Sequence, residues 1–473
     1  MTEDSQFQQR LQAVVTQRIA HCRGFIGCDR LSGGASQETY RIAIETDGGS
    51  GLLAMRRAPG GLAEEMIEPG KPGLEAEAQL FQLALAGGVP VPEVYYVLTP
   101  EDGLGRGFIM QWLEGEALGS KIARSEDFAD IRPQLAYQCG QTLARIHRLD
   151  VTAALSQRVL EMSPELFVNQ TWDRYKAFDN PQPMIDYTGR WLLDNLPVVE
   201  QYTLVHNDFR NGNIMMSSET GITAVLDWEL AHIGDPMRDL GWLCCNSWRF
   251  GVTELPVGGF GLREELFAGY QAESGREVDP AHVKFWEVFG SFWWAVGCLG
   301  MAEHYRNGPD ASVERPAIGR RSSECQVDCV NLLIPGAVSV PSGEALALSA
   351  TMPSSTELLE SVRDFMRTEV MAETAGRTQF LSRVAANSLD IVLRELQLGP
   401  DHQRRELAAL EQLLSSSGTL EALRGQLALA LREGSMDLNH TGLAQFLRDS
   451  VVGQIAIDQP KYSGFRSALN FTE

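Results

Sequence analysis

The sequence predicts an α+β protein: a small antiparallel β lobe, a mainly helical second lobe, and an all-α bundle at the C-terminal end. Three observations carry this expectation. Short apolar runs broken by glycine surround one helical stretch between residues 24 and 113. From there to residue 334 apolar residues mostly recur at helical spacing, with one strand-rich interruption at 202–229. A stretch rich in Pro, Ser, Gly and small residues, 335–356, then sets off a last series of amphipathic segments. At 473 residues the chain is also longer than one hydrophobic core usually supports. The expected organisation is an N-terminal helix and β lobe at 1–113, a helical lobe at 114–334, a linker at 335–356 and a helical bundle at 357–473.

In chain order, Phe7, Leu11, Val14, Val15 and Ile19 keep helical spacing. "LSGGASQETYRIAIE" reads as strand, glycine turn and strand, and "GLLAMRR" as a third strand after the "TDGGSG" turn. Gly73 to Ala86 is helical, with Ala76, Leu80, Leu83 and Ala84 along one face. "VPEVYYVL" and "GFIMQWL" complete the small sheet. Helical patterns follow at 134–150, in "WDRYKAF" and "IDYTGRWLLDNL", and again from about 260 to 333. Beyond the linker, five helices are expected, marked by Leu358–Met366, Phe380–Leu396, Leu407–Leu414, Leu420–Leu431 and Leu443–Ile455. No conspicuous polar cluster stands out among them, so a structural or partner-binding role is the default, including self-association.

Composition narrows the function. A formal net charge of −22 disfavours nucleic acid and anionic membranes, which recruit basic stripes. The most apolar stretch, residues 288–302, is 15 residues long, short of the roughly 20 needed to span a bilayer, and reads as a buried helix. The N-terminus carries acidic residues where a signal peptide needs a basic and then an apolar run. Eight scattered cysteines make no disulfide framework and fit a reducing cytoplasm. Cys325 and Cys329 stand at i, i+4, but no second pair lies at a zinc-like spacing.

The chemistry gathers in "LVHNDFRNGN", Leu204 to Asn213, which holds the pattern H-x-D-x-x-x-x-N directly after an apolar run. A random chain of this length would show that spacing about 2% of the time. Asp227 then ends an apolar run one hairpin later, which makes coincidence less likely still. Phosphoryl transfer needs a carboxylate near the attacking hydroxyl and hard oxygen ligands for Mg²⁺. Asp208 suits the base position. Asn213 returns toward the same space with an amide oxygen, and a hairpin brings Asp227 beside it. His206 fits a brace for the loop better than a proton carrier. Asp235 and Asp239 read as caps and braces of the helix entered at Pro236.

"LVHNDFRNGNIM" followed by "AVLDWELAHIGDPMRDLGWL" resembles the aminoglycoside-phosphotransferase-like family of small-molecule kinases. The likeness is closest to the branch that includes kinase-like domains fused to some acyl-CoA dehydrogenases. It covers roughly residues 25–335, and "IGRRSSE" at 318–324 is a further family-like stretch. The resemblance implies the bilobal protein-kinase-like fold, ATP and Mg²⁺ as cofactors, Asp208 as catalytic base, and Asn213 and Asp227 as metal ligands. It also implies a strand cation paired with a helix glutamate. Aligning "LAMR" with the kinase V-A-I-K strand puts Arg56 at the usual lysine, with Glu77 its natural partner and Glu75 second. Arginine keeps the charge but changes the fork. "FIMQWLEGE" resembles the hinge, where backbone at Gln111 to Leu113 would meet adenine. Gly33 and Gly34 would let backbone approach phosphate, although an ordinary hairpin turn explains them equally well. The D-F-G and A-P-E segments of protein kinases do not occur, which favours a small-molecule acceptor.

Two classes of function follow. The first is an ATP- and Mg²⁺-dependent enzyme phosphorylating a small-molecule hydroxyl. The fused relatives suggest a hydroxyacyl-CoA or related metabolite, and the family label suggests an aminoglycoside or amino alcohol. The second is a nucleotide-binding pseudokinase or scaffold, supported by Arg56 and the appended bundle. The complete set Asp208, Asn213 and Asp227 speaks for the enzyme. The bundle resembles a helical domain of unknown function that accompanies such phosphotransferases.

Overall fold

A computed structural model describes residues 3–31, 37–62, 71–308, 311–343 and 352–471. The chain divides into two compact units. One comprises residues 1–163, 198–244 and 248–286, the other 164–197, 245–247 and 287–473.

The first unit begins with helix α1 (Glu3–Arg18) and a five-stranded sheet: β1 (Gly24–Arg30), β2 (Glu38–Thr46), β3 (Gly49–Arg57), β4 (Val94–Val97) and β5 (Gly107–Gln111). The strands pair antiparallel in the order β1-β2-β3-β5-β4. The alternation in "TYRIAIE" sends Tyr40, Ile42 and Ile44 to one face, where they bury with Leu53, Met55 and Ile109 against Leu11, Val14 and Val15 of α1. Helix α2 (Leu74–Ala86) buries Ala76, Ala78, Leu80, Phe81 and Ala84, and the Phe81 ring lies 5.8 Å from Phe108 of β5. Gly33 and Gly34 lie outside the described residues.

Helix Arg132–His147 follows, then the strand-rich interruption. It contains β6 (Thr203–Val205), β7 (Ile214–Ser217), β8 (Gly221–Val225) and β9 (His232–Gly234). β6 pairs antiparallel with β9, and β7 with β8 as a hairpin. Gly221 has φ +85°, and a Cβ there would stand 1.9 Å from the Gln138 amide oxygen, so only glycine closes this turn.

In the second unit, the bundle and the preceding helices share one core. Met184 and Tyr187 of helix Pro183–Asp194, and Val327 and Val330 of helix Ser322–Leu333, bury with Leu427, Leu447, Val452 and Ile455 from the bundle. Asp186 is fully buried there. It accepts from Trp172 Nε1 (2.9 Å), Tyr175 Oη (2.9 Å) and Arg432 (Nε 2.6 Å, Nη2 3.2 Å). Ala337, Ser339, Val340 and Ser342 all hydrogen-bond to side chains of the bundle: Gln445, Asp449, Arg405 and Asp401.

Two expectations for the bundle need correction. The second and third helices are one helix of 39 residues, Gly376–Leu414, running through Pro400. Proline removes one N–H and crowds the preceding turn, but packing on Leu410 and the neighbouring helices outweighs that local cost. The bundle also holds a buried polar cluster just after the proline. Asp401, His402 and Glu406 are buried, and Arg424 and Ser450 both bond Glu406. Helical periodicity hid it, because Glu406 finds its partners on two other helices and Asp401 finds Ser342 ahead of the bundle. A further helix of seven residues, Ser463–Leu469, also follows the five expected segments.

None of the eight cysteines forms a disulfide. Among the described residues no helix is long and apolar enough to cross a membrane.

Removing one partner from a buried ion pair strands the other charge, at a cost of about 3–5 kcal/mol. Arg432→Met is therefore expected to destabilise the second unit by about 3 kcal/mol in urea unfolding. A midpoint equal to that of the unchanged protein would show that Asp186 does not need its arginine.

Candidate active site

The loop between β6 and β7 is shaped by one buried carboxylate. Asp239, in helix Met237–Cys244, accepts the backbone N–H of His206 (Oδ2, 2.8 Å) and of Asn207 (Oδ1, 2.7 Å). His147 Nε2 lies 3.1 Å from the same Oδ2, and its Nδ1 meets Tyr270 Oη at 3.0 Å. Burial works to raise the Asp239 carboxyl, but its hydrogen bonds with His147 and the His206 backbone N–H hold it below the usual aspartate range. Asp239 thus braces the loop, while Asp235 caps its helix by accepting Met237 N–H at 3.0 Å. Asp235 Oδ2 also accepts from Trp286 Nε1 at 2.7 Å and lies 2.5 Å from His282 Nε2.

His206 ties the loop to the next strand. Its Nδ1 accepts Asp208 N–H (3.2 Å), so Nε2 carries the proton and donates to Leu226 O (2.9 Å). Both ring nitrogens are spent on backbone. Burial lowers the imidazole below its ordinary value despite the nearby carboxylates, so it stays neutral. It is a brace.

That brace brings the expected residues together. Asn213 O accepts Leu226 N–H at 2.7 Å, so the hairpin sets Asp227 directly after a residue bonded to both His206 and Asn213. Asn213 Nδ2 donates to Asp208 O (3.0 Å) and to Asp208 Oδ2 (2.6 Å). Asn207 (φ +66°) and Asp227 (φ +65°) adopt the left-handed conformation that costs a non-glycine residue about 1 kcal/mol or more. The Asp239 bond to Asn207 and the Arg56 bond to Asp227 hold them there.

Arg56 on β3 reaches three groups. Its Nη1 meets Glu77 Oε1 at 2.8 Å, its Nη2 Asp227 Oδ1 at 2.9 Å, and its Nε Gln37 Oε1 at 2.8 Å. Glu75, the second candidate partner, meets Arg106 instead, at 3.2 Å. Burial, opposed by the Arg56 charge, pushes the Glu77 carboxyl up to about 7. At Asp227 burial also acts to raise the carboxyl, but Arg56 outweighs it and holds the group below the usual aspartate range. Asp227 therefore keeps its negative charge across the neutral range. Gln111 ends β5 opposite Leu53, and its N–H donates to Glu93 O at 2.8 Å, with Leu113 two residues on.

Three residues complete the site that sequence reasoning passed over. Trp242 Nε1 donates to Asp208 Oδ1 at 2.9 Å, from a helix 34 residues away. Gln37 bridges Arg56, Glu77 and Glu229, with Nε2 3.3 Å from each carboxylate. Arg210 grips Asp208 with Nε on Oδ1 (2.9 Å) and Nη2 on Oδ2 (3.1 Å). Only Arg210 had a local signal, a cation two residues after the aspartate.

Among the described residues no group of three or more His, Cys, Asp or Glu could hold a metal ion. Asn213 and Asp227 offer a different set, an amide oxygen and one carboxylate, both hard donors. Among the described residues neither Asn213 Oδ1 nor Asp227 Oδ2 has a hydrogen-bond partner. Mg²⁺ is commonly held by one or two carboxylates with the remaining oxygens from phosphate and water, so these residues fit it.

A family model described as "Phosphotransferase enzyme family" matches residues 27–277, and one described as "Domain of unknown function (DUF6285)" matches residues 372–462. Acyl-CoA dehydrogenase family member 10 of Mus musculus is 28% identical over 230 residues, 47% of this chain and 21% of that protein. Family member 11 of Gallus gallus is 28% identical over 248 residues, 50% of this chain and 30% of that protein. The match thus spans less than a third of either relative. A structure of a candidate aminoglycoside phosphotransferase from Ralstonia eutropha superposes with a TM-score of 0.53 at 22% identity. It covers 67% of this chain and 95% of that one. The fold is the kinase-like one, with an antiparallel sheet followed by helices.

Two buried histidines make a pH prediction. Burial lowers His206, and lowers His232 to about 4. The unfolded chain, with histidines near 6.5, binds more protons between those values, so stability falls as pH drops from about 6.5 toward 4. Urea unfolding is expected to lose about 2 kcal/mol between pH 7 and pH 5 from His232 alone. Glu77, raised to about 7, gains stability over the same interval, so the loss is read against His232→Gln, and an equal pH dependence in the two proteins would contradict the neutral, buried assignment.

Proposed function

The chain belongs to the phosphotransferase enzyme family, and from that premise we propose that it transfers the terminal phosphoryl group of ATP to a hydroxyl of a small molecule with the help of Mg²⁺. The observation that carries this reading is a carboxylate bonded to a side-chain amide on one loop, with a second carboxylate one hairpin later paired to an arginine. Asp208 lies 2.6 Å from Asn213, and Asp227 lies 2.9 Å from Arg56.

In this reading Asp208 orients the acceptor hydroxyl and takes its proton as the oxygen attacks phosphorus. The bond from phosphorus to the bridging oxygen breaks, and its electron pair leaves with ADP. Arg56, fixed by Glu77, meets the nucleotide phosphates as a cation of constant charge, since guanidinium does not titrate in this range. Asn213 and Asp227 hold Mg²⁺, which when bound supplies charge neutralisation at the phosphate oxygens. Backbone at Gln111 to Leu113 meets adenine. His206 and Asp239 hold the loop and touch no substrate.

The acceptor we infer is a hydroxyacyl-CoA or a related metabolite. The support is that the curated relatives are acyl-CoA dehydrogenase family members. The pseudokinase alternative rests on arginine at the strand-cation position and on the appended bundle. Arg56 makes the pair with Glu77 that a strand lysine would be asked to make, which favours an enzyme.

An ATP-consumption screen against hydroxylated acyl-CoAs, amino alcohols, sugars and aminoglycosides tests the proposal. Turnover is expected with a hydroxyacyl-CoA, and Asp208→Ala is expected to lower kcat by about 100-fold or more. A protein that turns over no acceptor and binds no Mg-ATP would overturn the reading. Turnover that survives Asp208→Ala would remove Asp208 from its role.

A further inference from the structure

Asp208 carries more donors than a working base can keep. Each carboxylate oxygen has about two lone-pair positions, roughly four in all. Trp242 Nε1 and Arg210 Nε donate to Oδ1, at 2.9 Å each. Asn213 Nδ2 (2.6 Å) and Arg210 Nη2 (3.1 Å) donate to Oδ2. Every position is taken, so no lone pair is open to receive a hydroxyl proton. One donor must leave before Asp208 can act.

The surroundings single out Arg210 as that donor. Trp242, in helix Met237–Cys244, is 1% exposed, and Asn213, in the loop, is 6% exposed. The Arg210 side chain is 25% exposed. Its guanidinium lies over the Trp248 ring, 4.3 Å from the centroid, with Nη1 on Asn211 O at 2.9 Å. Gly212 keeps this space open, since a Cβ there would stand 2.6 Å from Arg210 Nη1. A guanidinium held on one carboxylate is drawn to a group of higher charge that offers the same fork, and a terminal phosphate is such a group.

We propose that Arg210 is a two-position catalytic residue. It masks Asp208 while the site is empty, then moves its guanidinium onto the terminal phosphoryl group of the nucleotide and frees the base. This rests on the assignment of Asp208 and the nucleotide made above. In the second position Arg210 forms and breaks no covalent bond. It offsets negative charge on the phosphoryl oxygens while the hydroxyl proton passes to the vacated lone pair of Asp208. The device keeps the base capped until the donor substrate is present.

Trp248 is a built-in reporter, because the guanidinium leaves or tilts on its ring. Tryptophan fluorescence of the full chain is followed while Mg-AMPPNP or Mg-ADP is added, with binding measured separately by calorimetry and Trp248→Phe identifying the signal. The expected result is a change with Mg-AMPPNP, none with Mg-ADP, and none in Arg210→Met although that variant still binds Mg-AMPPNP. In turnover, Arg210→Met is expected to lower kcat about 100-fold with little change in acceptor KM, and Arg210→Lys to recover part of it. An equal fluorescence change in Arg210→Met, or none in the unchanged protein at saturation, would overturn the switch while leaving the kinase reading intact. A kcat in Arg210→Met at or above that of the unchanged protein would also overturn it, leaving only a mask. Failure of the unchanged protein to bind Mg-AMPPNP would overturn the nucleotide reading and the switch with it.

Discussion

One buried carboxylate organises the site. Asp239 satisfies two consecutive backbone N–H groups, His206 and Asn207, at the point where the chain leaves β6. An unpaired N–H at that depth costs about 1–3 kcal/mol. Asp239 therefore both permits the left-handed turn at Asn207 and decides where the next residue points. Asp208 follows, and its position is inherited from this turn rather than from its own contacts. His147 and Tyr270 in turn orient Asp239, so the geometry of the loop is set by a chain of buried polar groups reaching across three elements. Such a chain is stiff only when complete.

A second constraint fixes the opposite wall. Arg56 is shared between Glu77 and Asp227, two carboxyls with different fates. Glu77 is 1% exposed and moves up to about 7, whereas Asp227 stays charged. Asp227 suits metal binding because it retains its charge and has an oxygen left over. Glu77 serves as the counter-group that holds the arginine in place. Arginine instead of lysine at this strand position gives one side chain enough donors to engage Glu77, Asp227 and Gln37 together.

The parts of this arrangement that could be read in the sequence are those in which neighbours along the chain are neighbours in space. Asp208 and Asn213 share one loop, and Asp227 is joined to them by a hairpin whose ends must meet. Arg56 and Glu77 were legible only by resemblance, because a strand and a helix 21 residues apart have no local rule to pair them. Asp239 was expected to brace its own helix and braces the loop instead, a bond spanning 33 residues. Trp242 was invisible for the same reason. In the C-terminal helices, periodicity marked faces that do bury in Leu420–Glu433 and Leu443–Asp458, whereas Leu358, Val362 and Phe365 stay exposed. It could not show that the helix continues through Pro400, or that Asp401, His402 and Glu406 would be buried, Glu406 with partners from two other helices. Arg432 reaching Asp186 over 246 residues lies beyond any pattern.

The central claim is that Asp227 and Asn213 form a metal and phosphate site beside Asp208. Water-proton relaxation of the Mn²⁺–AMPPNP complex reads this directly, because relaxation rises when a macromolecule holds the complex. The account expects strong enhancement with the unchanged protein and its loss in Asp227→Asn, with the circular dichroism of the two proteins alike. Equal enhancement in both proteins, or none in the unchanged protein, would contradict it.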